Sequence, residues 1–178
     1  MKVPRLPRTI EDEFGATSLA SELVARARPL WAGGTLSVAQ AKVTPALEAA
    51  LASAFSAGQI VRGLEAAERV LSAEERGLKH VDRKTGVERG VRVSRLLVLA
   101  GDGAERFYHD VESLLHQHGP RVLALRLSAD ESTLGRLLFG PDQVARLLLL
   151  EHKDAVSAVL RALAKHWIEA GDDEASSR

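Results

Sequence analysis

The sequence predicts an α/β protein: a three-layer α-β-α sandwich on a small mixed sheet, with an N-terminal helical extension. Three observations lead there. From Gln59 onward, apolar runs of strand length alternate with amphipathic runs of helical period. The connections between them are short, which places successive elements side by side and lays helices on the sheet. Of the 178 residues, 46% are hydrophobic, enough to bury a core for one domain plus an extension, or for two small ones.

Residues 1–55 are rich in Ala and carry helical spacing twice, first at Ser18, Leu19, Leu23, Val24 and Ala27, then at Thr44, Leu47, Leu51 and Phe55. Thr44 followed by Pro45 reads as an N-cap with proline at the first helical position, where its missing N–H costs nothing. "WAGGTLS" (31–37) separates the two as a turn. Residues 56–168 form the sandwich domain. There "VSRLLVLAGD" (93–102), "RVLALRLS" (121–128) and "VARLLLL" (144–150) read as strands. "GAERFYHDVESLLHQHG" (103–119), "ADESTLGRLLFG" (129–140) and "KDAVSAVLRALAKHWI" (153–168) read as helices. Asp130 or Ser132 caps the second of these, and Gly140-Pro141 breaks it. The segment 72–90 reads as a charged, glycine-punctuated loop, in the form of a hairpin or a helix extension. The tail 169–178 has four acids and almost nothing to bury, which predicts disorder.

The 24 basic and 24 acidic residues cancel, so no global field draws in nucleic acid or an anionic membrane, and any such binding rests on a local patch. One candidate patch is "KHVDRKTGVERGVRVSR" (79–95), with six Lys or Arg against Asp82 and Glu88. The bland alternative for it is solvated surface with no partner. There is no cysteine, which removes disulfides and thiolate chemistry and fits a reducing compartment. No apolar run is long enough to span a membrane, and the start has acids where a signal peptide needs its apolar core. These features set the expectation of a cytoplasmic chain with no membrane contact.

"AGQIVRGLEAAERVL" (57–71), "RLLVLAGD" (95–102) and "ADESTLGRLLFGPDQVARLLLLEHKDAVSAVL" (129–160), in that order, resemble the kink-turn-binding ribosomal-protein superfamily, the compact sandwiches that include the bacterial YlxQ proteins. The resemblance covers residues 56–166. It implies binding of structured RNA, on the ribosome or elsewhere, through a glycine-bounded helix N-terminus. Such a terminus presents unpaired N–H groups to phosphate oxygens. On this resemblance Gly58, Gln59, Arg62, Gly63, Glu65 and Arg69 fall on the first RNA contact, and Gly135, Arg136 and Gln143 on the second. Arg83 and Lys84 supply the basic insert. Glu65 and Ala66 stand where the family carries an Asn-Glu pair, and Gln59 where it carries lysine. A carboxylate cannot donate a hydrogen bond as an amide can.

Histidines at 80, 109, 116, 118, 152 and 166 raise the question of a metal. His116 and His118 point about 200° apart on a helix, and His109 and His116 lie two turns apart, so the spacing does not predict a metal site. Asp102 at a strand end reads as an N-cap. With Lys153 and Asp154 it also sketches a phosphorylation-receiver layout that lacks its further acid. The second functional reading is therefore a non-enzymatic regulatory or protein-interaction module. No Ser-His-Asp order, P-loop or full dinucleotide fingerprint occurs, so neither an enzyme nor a cofactor is predicted. The N-terminal helices are candidates for a protein partner or a homodimer contact.

Overall fold

The computed structural model describes residues 1–85 and 91–170, with the side chains of 82–85 excepted. In chain order the elements are α1 (Arg8–Phe14), α2 (Ser18–Ala25), β1 (Ala27–Pro29), β2 (Ser37–Ala41), α3 (Pro45–Ser56), β3 (Ile60–Arg62) and α4 (Leu64–Thr85). There follow β4 (Arg95–Leu99), α5 (Glu105–His118), β5 (Val122–Leu127), α6 (Glu131–Phe139), β6 (Leu147–Leu150) and α7 (Lys153–Ala164), which ends in a π-helical turn, Lys165–Glu169. The strands form one mixed sheet in the order β1-β2-β5-β4-β6-β3. β2, β5 and β4 run parallel, while β6 is antiparallel to β4 and β3 is antiparallel to β6.

The central strands are buried on both sides, which is why they read as unbroken apolar runs rather than as alternation. Leu96 and Val98 of β4, Leu123, Leu125 and Leu127 of β5, and Leu148 and Leu150 of β6 face a core shared with α1, α2, α3, α6 and α7. The residues between them, Leu97, Leu99, Val122, Ala124, Leu147 and Leu149, face a second core shared with α4 and α5. The period of two along each strand thus sorts the leucines into the two interiors of a three-layer sandwich.

Residues 1–55, expected as a helical extension, supply helices and also two strands. β2 pairs in parallel with β5, and β1 closes that edge. The stretches at 27–29 and 37–41 are too short to show a period beside their helical neighbours. Thr44 does cap α3, its Oγ1 accepting the N–H of Leu47. The segment 72–90, expected as a loop in hairpin or helix form, is the extension of α4 as far as Thr85. The acidic tail from 171 lies outside the described residues.

The turn at 31–37 is held by one carboxylate. Glu112 of α5, 7% exposed, accepts from the Trp31 indole (2.9 Å) and from the backbone N–H groups of Thr35 and Leu36 (2.6 Å each). Burial alone pushes its pKa up, but those donors favour the charged form and together leave it below the ordinary 4.5. Because folding lowers this pKa, the stability it contributes is present above the unfolded value and is lost as pH falls through the folded one. Urea unfolding should therefore show falling stability between about pH 5 and pH 3. Glu112→Gln should cost about 2 kcal/mol at neutral pH and flatten that part of the profile. A variant profile parallel to that of the parent protein overturns the assignment.

Candidate functional site

In an open α/β sheet the usual ligand crevice lies at the carboxyl ends of adjacent parallel strands whose following helices cover opposite faces. Here that place is between β4 and β5, since α5 packs on one side and α6 on the other. The chain itself fills it. The N–H of Gly101 donates to Ala129 O at 2.8 Å, and a Cβ on Gly101 would come within 2.6 Å of Leu127 O. Asp102 accepts the N–H of Glu131 at 2.9 Å, and Asp130 accepts that of Thr133 at 2.7 Å. The strand-end acid read as an N-cap thus caps α6, the helix after the next strand. The Thr133 N–H holds the carboxyl of Asp130 below its ordinary value.

An open concavity lies one strand further along. β3 ends and β6 begins at the same sheet edge, so the first turns of α4 and α5 converge over the entry to β6. They enclose a groove of about 900 Å³ lined by Arg62, Glu65, Arg69, Arg106, Phe107 and Arg146, among others. Neither helix has a side-chain cap: α4 follows Gly63 and α5 follows Ala104. α3, α6 and α7 are capped by Thr44, Asp130 and His152, while α1 and α2, which start away from the groove, also lack a side-chain cap. The first-turn N–H groups of α4 and α5 are therefore left for solvent or a ligand.

Four guanidiniums surround the groove, and they differ in freedom. Arg62 donates to Val144 O and to Gln143 Oε1 (3.4 Å), and it stacks 4.4 Å above the Phe139 ring. Arg146 is paired with Glu131, which raises its pKa above the ordinary value. Arg69 and Arg106 are exposed and make no ion pair or hydrogen bond with the described residues. Glu65 and Asp110 are the acids of the lining.

No family model and no curated protein sequence matches this chain. Among solved structures, a protein of unknown function from Bacillus halodurans C is similar at 14% identity, over 64% of this chain and 95% of its own, with a TM-score of 0.39. A likeness so distant transfers no residue's role.

Of the residues singled out from the sequence, Arg62, Gly63, Glu65 and Arg69 meet in the groove, and Gln143 stands beside it against Arg62. Gly58 and Gln59 do not join them, because β3 lies between. Gly58 (φ +71°) ends α3, its N–H bonding Phe55 O while the N–H of Gln59 bonds Ala54 O, a Schellman closure. Gly135 is buried, with room for no side chain: a Cβ there would sit 2.1 Å from Gln143 O. Arg136 is exposed on α6 outside the groove lining. Arg83 and Lys84 occupy the last turn of α4, and their side chains are outside the described set. Among the described residues no cluster of three His, Asp or Glu could hold a metal ion, and no helix is long and apolar enough to cross a membrane.

Arg106, Phe107 and Arg146 were not singled out in advance. The sequence shows them at the starts of a helix and a strand but gives no sign that β3 pairs with β6, which is what brings them to Gly63.

The glycines of the region differ in purpose, and substitution separates them. Gly63 has φ +95° and open space where a Cβ would go, so Gly63→Ala should cost only the conformational penalty, about 1–2 kcal/mol. Gly135→Ala drives a methyl group into the Gln143–Val144 backbone and should cost about 3 kcal/mol or more. Denaturant unfolding of the two variants checks the order, and equal losses contradict it.

Proposed function

We propose that this protein binds structured RNA, with the sugar-phosphate backbone entering the groove between the first turns of α4 and α5. The observation that carries the reading is the convergence there of two uncapped helix starts with the unpaired guanidiniums of Arg69 and Arg106. Uncapped N–H groups and exposed arginines suit phosphate oxygens, the first through the helix dipole and the second through charge-assisted bonds. Arg62 and Arg146, held by Val144 O and Glu131, set the shape of the rim. The resemblance to kink-turn-binding ribosomal proteins points to the same end of the same helix. With Glu65 and Ala66 after Gly63, the groove supplies no amide side chain there to read a base edge. Recognition therefore rests on shape and backbone path, the mode expected for folded RNA.

The test is titration of a fluorescent hairpin RNA carrying an internal loop, at several salt concentrations. The parent protein should bind with log affinity falling linearly in log salt. The double variant Arg69→Ala, Arg106→Ala should lower the slope by about 2 and weaken binding at least about tenfold. No measurable RNA binding by the parent protein at low salt overturns the proposal.

A further inference from the structure

The 22 residues of α4 form a rod about 33 Å long, and its groove end accounts for only the first turns. Further along, Glu74 and Glu75 turn inward: Glu74 accepts from Arg95 Nε (3.0 and 3.1 Å) and from Arg121 Nη1 (3.0 Å), two arginines at the starts of parallel strands. Glu75 accepts from the buried His118 Nδ1 at 2.6 Å and pairs with Lys79 at 3.7 Å. The exposed side chains from Ala73 to Val81 then include Arg76, Lys79 and His80 and no acid. Although the chain as a whole has no net charge, the exposed charged side chains of this stretch are all basic.

Two arginines of α4, Arg69 and Arg76, are seven residues apart. On a helix seven residues return to within about 20° of the same direction. They advance about 10.5 Å along the helix axis. Arg69 and Arg76 are both exposed and make no ion pair or hydrogen bond with the described residues.

We infer that the outward face of α4 is a second RNA-contacting surface. It lies along the phosphate backbone of the stem that flanks the element held in the groove, with Arg69 shared between the two and Arg76 the first residue belonging to the stem contact alone. The inference rests on the RNA reading above and adds to it an extended, sequence-independent contact. Glu65 and Glu68 stand at the groove end of the helix, so the stem contact begins beyond them.

The test compares two RNAs with the same internal loop, one in long stems and one in the shortest stems that hold the loop. It uses the full chain and the variants Arg76→Ala, Arg76→Lys and Arg106→Ala, with helicity checked by circular dichroism. The inference expects Arg76→Ala to weaken the long-stem RNA several-fold and to lower its salt slope by about 1. The short-stem RNA should be bound as by the parent protein, and Arg76→Lys should keep the slope. Arg106→Ala should weaken both RNAs. If Arg106→Ala weakens both while Arg76→Ala changes neither, the stem contact is overturned and the groove stands. If Arg76→Ala weakens both equally, the stem contact is likewise overturned. If the parent protein binds neither RNA at low salt, the groove reading fails and the inference with it.

Discussion

The pairing of β3 with β6 is the interaction on which the candidate site depends. It is only three residues long, with Ile60 opposite Leu150 and Arg62 opposite Leu148. Backbone bonds bracket it, from Glu151 N to Gln59 O (3.0 Å) at one end and from Gly63 N to Leu147 O (2.9 Å) at the other. Two glycines with positive φ let the chain enter and leave: Gly58 closes α3 and Gly63 starts α4. Each sits where a residue with a Cβ pays a conformational penalty. The short strand also closes the sheet with an edge too brief to template further pairing. This pairing fixes where α4 begins, and Ala67 and Leu71, buried in the core shared with α5, hold it against that helix.

A second constraint follows from how α4 is tied down. Beyond Leu71 its described side chains include no fully buried apolar one, and Glu74 and Glu75 tie it by charge to strand starts and to α5. The Glu74 carboxylate takes three donor contacts from Arg95 and Arg121, whose side chains are mostly covered, and Arg121 reaches Leu71 O as well. Partly buried, multiply bonded pairs of this kind hold geometry better than exposed ones, because less of their field is screened. His118 must donate its Nδ1 proton to Glu75, since the carboxylate only accepts, and its Nε2 is buried without a partner among the described residues. Using Glu74 and Glu75 for anchorage leaves Arg76 outward, beyond the exposed Glu65 and Glu68 of the groove end.

Much of the sandwich was legible in the sequence, for a physical reason. β4, β5 and β6 are buried on both faces, so they stand out as leucine and valine runs, and α5, α6 and α7 have the one-sided periodicity of helices packed on a sheet. β1 and β2 were not legible: three and five residues, partly exposed, carry too few alternations to register against flanking helical patterns. For the site, the stretch 62–69 was visible through Gly63 and its neighbouring arginines. Gly58 was misleading, because the spacing of two glycines cannot distinguish one helix start from a helix end followed by a strand and a second helix start. Arg106 and Arg146 become neighbours of Gly63 only through the order of strands in the sheet, which no local pattern encodes.

The filled crevice between β4 and β5 bears on what kind of chemistry the molecule supports. A small-molecule site in this architecture normally takes its polar groups from the two strand ends at that point. Here Asp102 and Asp130 are both spent on capping α6, and Gly101 lies against the backbone of the next strand. The groove at the starts of α4 and α5 is open and broad, walled by arginines and helix starts, with Phe107 as its aromatic member. Such a surface has ample capacity for phosphate and little for discriminating one base from another. On the RNA reading, specificity then comes from which folds of the backbone can reach both the groove and the outward face of α4. Length and bend of the RNA, more than its sequence, become the selected properties.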